Sequence, residues 1–383
     1  MKIEQVSTII FSHSSNTVRD TDGHTHPGPE NRSQSALLRI DCDDGSSGQV
    51  IARVSDVEEP LLEKFVRPVL LGQDPLRNEA LWQALYKWQR GSAMKLTDRT
   101  LCAVELALWD LLGKVCSQPV WKLLGGYRER IPAYGSTMCG DDLEGGLATA
   151  EDYARFALWL VEERGYKAIK LHTWMPPIPG APNVKMDYTA CAAVREAVGP
   201  DIPLMLDPNH WYSRTDSLWL CQRLEELNYF WIEEMMEEAS LSSYQWLTSR
   251  TPSLNILGPE SMTGKHWTRA EWAAKGACDM MRTGVWDVGG IGPAMKTAKL
   301  AESFHMSCEI HGTGAANLAV AAAIPNTHYY ERGLLHPFID YDKPKDYQNR
   351  IDDEMDEEGF VICRDTPGLG QDLNLDFIEA NRV

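Results

Sequence analysis

Disulfide chemistry is missing from this chain. Its nine cysteines are scattered singly, with no CxxC pair, and their odd number fits reduced thiols buried as small apolar side chains. Positive charge is scarce: 37 lysines and arginines face 55 acidic residues, a net charge of −18. That balance argues against nucleic acid or an anionic membrane as a partner. No apolar run approaches the length of a membrane span. The opening Met1-Lys2-Ile3-Glu4-Gln5 is not a secretory leader, because Glu4 and Ser7 interrupt any apolar stretch. A cytoplasmic protein is therefore expected. The chain also lacks a glycine-rich phosphate loop. What remains is 383 residues, 43% apolar and 24% charged, enough for one large enzyme-like domain and a smaller one.

The first third does not alternate strand and helix. Ile3 to Phe11 and Ala36 to Cys42 read as strands, and 60–70 and 77–88 have helical periodicity. The stretch Thr97 to Gly113 is a strong helix with Leu101, Val104, Leu108, Leu111 and Leu112 on one stripe. Between the two strands lies His13 to Arg32, polar and broken by Pro27-Gly28-Pro29. So long an irregular segment predicts a functional lid or disorder; as a lid, it offers Asn16, Arg19, His24, His26 and Arg32 as candidates for touching a ligand. From about Arg130 short apolar runs alternate with helical patterns. The candidate strands are Ile131–Ser136, Ala168–His172, Leu204–Asp207, Tyr229–Glu233, Leu254–Glu260, Cys278–Thr283, Met306–His311 and His328–Glu331. Eight such units point to a closed parallel barrel with its site at the strand carboxyl ends; an open doubly wound sheet is the alternative. Gly289-Gly290 opens a helix, where it serves as a tight turn or as an anion cradle. The acidic run after Asp352 reads as a solvated face.

Three of these strands end in an acid. Asp207 follows Ile202-Pro203-Leu204-Met205-Leu206, Glu233 follows Tyr229-Phe230-Trp231-Ile232, and Glu260 follows Leu257-Gly258-Pro259. The intervals are 26 and 27 residues, one strand-helix unit each. A single such acid can cap the next helix. Three in step place mutually repelling carboxylates side by side on a barrel rim, and a hard cation such as Mg²⁺, one per chain, relieves that repulsion.

With the helix Cys102-Ala103-Val104-Glu105-Leu106-Ala107-Leu108-Trp109-Asp110, then Gln118-Pro119-Val120 and Leu123-Leu124-Gly125-Gly126, the ordered set resembles the enolase superfamily, in its mandelate racemase subgroup, over essentially the whole chain. The resemblance implies an α/β fold: a modified TIM barrel of (β/α)7β type at 129–351. It also implies an α+β capping domain built from 1–128, with its lid at 13–32, and from the tail 352–383. It makes Asp207, Glu233 and Glu260 the metal ligands. Lys170 and His172 match the second-strand lysine motif, with histidine in its second place. Asn209 matches a polar rim residue, His311 the seventh-strand catalytic histidine, and Glu331 the eighth-strand glutamate that meets the substrate carboxylate. One departure stands out. Gly284 occupies the place of the aspartate that orients the histidine, and Asp287 lies elsewhere in the turn, so His311 is expected to lack its usual partner.

Lys170 and His172 alternate along one strand and share its inward face, so one is expected to be base or acid and the other to orient it. His311 approaches from the opposite side. Without an aspartate it is expected to serve as the acid, the Lys170/His172 side taking the proton. Glu331, beside a bound carboxylate, is expected to be protonated or to share a proton. His210 either touches a substrate hydroxyl or caps a helix. Substrate contacts are thus expected from Asn209, His210, Arg19, His24 and His26. The resemblance implies an Mg²⁺-dependent hydro-lyase that removes the proton alpha to a carboxylate, forms a metal-stabilised enediolate and expels the beta hydroxyl. The polar lid favours a sugar acid, an aldonate or aldarate, giving a 2-keto-3-deoxy acid. The alternatives are a racemase or epimerase of a 2-hydroxy acid and a non-catalytic sugar-acid-binding barrel. The expected partners are that small molecule and copies of the chain, in a homo-oligomer from dimer to octamer.

Overall fold

The computed structural model describes residues 1–20 and 24–383. Its first layer is an antiparallel sheet of β1 (Ile3–Arg19), β2 (Thr25–Cys42) and β3 (Ser47–Ala52), in the order β1-β2-β3. The polar stretch read as an irregular lid is therefore mostly strand. Register runs from Ile3 opposite Cys42 out to Arg19 opposite Thr25, with irregularities between Ile3 and Gln5 and between Ser15 and Thr17. The part of that lid at 21–23 lies outside the described residues. Composition misled here for a physical reason. The inner half of the hairpin packs on a core through Val6, Phe11, Leu38 and Ile40, so its strands alternate. The outer half is held by ladder hydrogen bonds with no core beneath it, and the apolar period vanishes. β3 pairs only with Ala36–Asp41, so Pro27 and Pro29 fall on an open strand edge, where a missing N–H is tolerated.

The helix Asp98–Val115 lies across this sheet. Its Thr97 cap accepts from the Thr100 N–H. Gly48 of β3 sits so close that a Cβ there would be 2.0 Å from the Ala107 carbonyl oxygen. Asp110 on this helix accepts from Gln49 N and from Leu369 N, tying sheet, helix and tail together.

The remainder is a parallel barrel of β4 (Arg130–Thr137), β5 (Ala168–His172), β6 (Leu204–Asp207), β7 (Trp231–Ile232), β8 (Asn255–Gly258), β9 (Met280–Thr283), β10 (Cys308–Ile310) and β11 (Tyr330–Leu335). The ladder runs β10-β9-β8-β7-β6-β5-β4-β11, a nearly closed ring of eight. All eight expected strands are present, though β7 is only two residues long. Side chains alternate in and out. Tyr134, Ala168, Met205, Trp231, Leu257 and Met280 form one buried interior layer. Two residues further along several of the same strands come Lys170, Asp207, Glu233 and Arg282, so an apolar plug carries a charged layer above it. β12 (Phe360–Ile362) pairs antiparallel with β4; the tail then reaches β1, where Ile378 packs with Phe11. No helix among the described residues is long and apolar enough to cross a membrane.

Candidate active site

Asp207, Glu233 and Glu260 converge at the barrel mouth: one carboxylate oxygen from each lies within 4.8 Å of the others, and all three residues are buried. Two imidazoles bracket them. His172 Nε2 stands 3.1 Å from Asp207 Oδ2, and its Nδ1, 2.8 Å from the Thr137 carbonyl, donates to it. At the other end His311 Nε2 stands 3.1 Å from Glu260 Oε1. Lys170 Nζ lies 2.7 Å from Glu233 Oε1 and 3.0 Å from Glu331 Oε1. Burial disfavours its charge, but the fields of Glu233 and Glu331 outweigh that and hold its pKa well above the ordinary value.

His311 has an aspartate after all. Its Nδ1 is 2.7 Å from Asp287 Oδ2, so the expected loss of the partner is corrected: the carboxylate comes from three residues further along the same turn. Gly284 makes this possible. A Cβ at 284 would lie 2.3 Å from Asp287 Oδ2 and 2.6 Å from the His311 carbonyl oxygen, so any side chain there would evict the aspartate. Burial lowers the His311 pKa, but Glu260 and Asp287 win and raise it to about 10.

Glu331 is held between cations and a backbone N–H. Its Oε2 accepts from Arg282 Nη2 at 2.9 Å and from Gly312 N at 2.8 Å. Burial opposes ionisation, but Lys170, Arg282 and His311 carry its pKa well below the usual range. Arg282 is the residue that sequence reasoning missed. Wholly buried, it places Nε 2.8 Å from Glu233 Oε2 and 3.1 Å from Glu260 Oε2, and Nη1 3.3 Å from the Tyr134 hydroxyl. Its inward register with Met280 was the available signal.

The donor set fits a hard divalent cation. It is all oxygen and negatively charged beyond what Lys170 and Arg282 balance. Glu233 Oε2, though beside Arg282, is buried without a well-directed hydrogen bond.

Above the carboxylates opens a cavity of about 570 Å³, lined by His172, Asp207, Glu260, His311 and Glu331 below and by Arg19, His24 and Thr25 from the hairpin end. Asn209 and His210 also line it, both with left-handed backbones (φ 51° and 66°), a conformation that clusters at functional sites. Asn209 N donates to Asp207 Oδ1. His210 is held from both ring nitrogens, 3.2 Å from the Met236 carbonyl and 2.9 Å from Glu234 Oε1. Burial lowers its pKa, but Glu234 raises it to about 10. His26 is not on the wall; its Nε2 lies 2.8 Å from Asp20 Oδ2, which also meets His24 Nδ1 at 3.2 Å.

A barrel of this kind, with carboxylates on three successive strands and a capping sheet, defines a class, and sequence comparison agrees. Residues 152–377 match the enolase C-terminal domain-like family, and residues 21–125 match the mandelate racemase / muconate lactonizing enzyme N-terminal domain. The chain belongs to the enolase superfamily. It is similar to D-glucarate dehydratase from Agrobacterium tumefaciens, whose crystal structure is a magnesium complex, with 56% identity, a TM-score of 0.98 and coverage of 100% of this chain and 99% of that one. Arabinonate dehydratase of Saccharolobus solfataricus is 30% identical over 82% of this chain and 81% of its own length. D-galactarolactone cycloisomerase of Agrobacterium fabrum is 28% identical over 100% and 99%.

Proposed function

We propose that this chain is a Mg²⁺-dependent sugar-acid dehydratase, a hydro-lyase. The observation that carries the reading is the carboxylate triad bracketed by Lys170/His172 at one end and the His311–Asp287 pair at the other. Its similarity to D-glucarate dehydratase and arabinonate dehydratase supports the same reaction class.

Asp207, Glu233 and Glu260 would hold the metal, which supplies Lewis-acid stabilisation of charge developing on the substrate carboxylate. The protein's own part is proton handling. A group on one side takes the proton from the carbon alpha to the carboxylate. A group on the other gives a proton to the beta hydroxyl, which leaves as water. The resulting enol becomes the 2-keto-3-deoxy acid by taking a solvent proton at carbon 3. The expectation confining His311 to the acid's part rested on a missing aspartate. With Asp287 in place to stabilise its imidazolium, His311 is equipped for either part. Glu331 fixes Lys170 from below, and Asn209 and His24 contact the sugar hydroxyls. We read the chain as a cap at 1–128, a barrel at 129–351 and a tail at 352–383, acting in the cytoplasm as a homo-oligomer. Exposed Trp88, Met94 and Trp267 favour such an assembly.

Turnover of sugar acids with Mg²⁺ in D₂O is the test. The expected product is a 2-keto-3-deoxy acid with deuterium at carbon 3. Inversion at carbon 2 with no keto acid would replace this reading with a racemase. Exchange assays then assign the base: loss of alpha-proton exchange only in Lys170→Ala points to the Lys170 side, and loss only in His311→Asn points to His311.

A further inference from the structure

Five basic side chains line the cavity, and four are committed among the described residues. His172 is held by the Thr137 carbonyl and Asp207, His210 by the Met236 carbonyl and Glu234, and His311 by Asp287 and Glu260. His24 has its Nδ1 on Asp20. Arg19, the last residue of β1, lines the cavity, and its side chain makes no hydrogen bond or ion pair among the described residues. Arg53 and the Arg99–Asp56 ion pair lie behind it. Arg53 is near enough to Arg99 and Arg19 that, after burial, their charges are the next causes lowering its pKa to about 10. In a chain of net charge −18, a guanidinium on a cavity wall with no side-chain partner among the described residues is suited to receive an anion.

The triad end already accounts for one substrate carboxylate. Glu234, paired with His210, and Glu237 line another part of the cavity, whereas the Arg19 wall offers a guanidinium with no side-chain partner among the described residues. We propose that Arg19 is a specificity-determining residue that receives the far carboxylate of a dicarboxylic sugar acid and so selects an aldarate over the matching aldonate. A guanidinium meets a carboxylate through two parallel N–H bonds, which the terminal hydroxymethyl of an aldonate cannot accept as an anion. The Asp20–His24–His26 brace, with His24 N donating to Asp20 Oδ1 at 2.9 Å, holds the strand ends beside it.

This inference rests on the dehydratase reading, and the experiment separates the two. Wild type, Arg19→Gln and Arg19→Lys, each loaded with Mg²⁺, are assayed on D-glucarate and on D-gluconate, which differ only at carbon 6. For Arg19→Gln the expected result is a fall in kcat/KM on glucarate of about 10- to 100-fold, as for a lost charge-assisted hydrogen bond. The fall should be carried mainly by KM, with gluconate changed less than about threefold and Arg19→Lys in between. An unchanged KM for glucarate, or equal losses on both acids, overturns the assignment. If wild type makes no keto acid from any sugar acid, the dehydratase reading fails instead. Equilibrium binding of the two acids to wild type and Arg19→Gln then still decides the matter: selective loss of glucarate binding supports Arg19, and equal binding overturns it.

Discussion

Arg282 balances the site from beneath, and its removal is the sharpest single-residue test of that layer. It is wholly buried and touches Glu233, Glu260 and Glu331. Arg282→Met would leave Glu233, Glu260 and Glu331 facing one another with only Lys170 and the His311 imidazole to offset them. Breaking one partner of a buried charge set costs about 3–5 kcal/mol. Thermal unfolding of the metal-free variant should therefore show a clearly lowered Tm. Because a divalent cation can take over part of the neutralisation, Mg²⁺ should raise the variant's Tm by more than it raises that of wild type. An equal Mg²⁺ increment in both proteins would show that Arg282 does not share charge with the metal-ligating carboxylates. The acids it serves were legible in the sequence, since a 26- and 27-residue interval survives any uncertainty in strand limits. Arg282 was not, because an arginine after two methionines reads as the end of a strand, and only inward alternation from Met280 reveals it.

The turn Gly284–Gly290 is an element whose logic spans several residues. The short helix Val285–Val288 carries Asp287 back toward His311, and the missing side chain at 284 leaves it room. Position-by-position resemblance failed here because the carboxylate is supplied at the right point in space from the wrong point in sequence. Gly284→Ala should displace Asp287 while leaving both dyad residues in the chain. The expected loss in kcat is about 10²-fold or more, as for a general acid–base group deprived of its orienting partner. Asp287→Asn should give a similar loss, and the double variant should be little worse than either single one, since both remove the same contact. Additive losses would mean that Gly284 matters for some other reason. The hairpin gives the opposite lesson. Its position was readable from a polar gap between two strands, but its structure was not, because ladder hydrogen bonds leave no mark on composition.

At the scale of the whole molecule, a buried acid is among the contacts that dock the cap to the barrel, beside Trp82 Nε1 donating to the Gly289 carbonyl and the Lys265–Asp98 pair. Glu105, on the cap helix Asp98–Val115, is 4% exposed, and its Oε1 accepts from Gly292 N at 3.0 Å. It thus caps the helix Ile291–Ser303 from another part of the chain. The glycines exist for this contact: a Cβ at Gly290 would lie 1.8 Å from Glu105 Oε2, and one at Gly292 2.7 Å from Oε1. Gly289-Gly290 makes a tight turn (φ 88° and 133°), and the helix start after it receives the Glu105 carboxyl group. The helix N-terminus favours the anion, yet burial prevails and lifts the Glu105 pKa to about 7. The unfolded chain holds this group near 4.3. Between those values the folded state binds the extra proton, so stability falls as pH rises through that window and levels off above it, a change of order 3 kcal/mol. Other carboxylates also titrate there, so the measurement is the difference between wild type and Glu105→Gln in denaturant unfolding from pH 4 to 8. Gln keeps an acceptor for Gly292 but cannot ionise. Its stability relative to wild type should improve as pH rises from about 4.5 to 7 and then stay constant. Parallel curves across that range would mean that the acid at the cap–barrel junction is not held neutral by its burial.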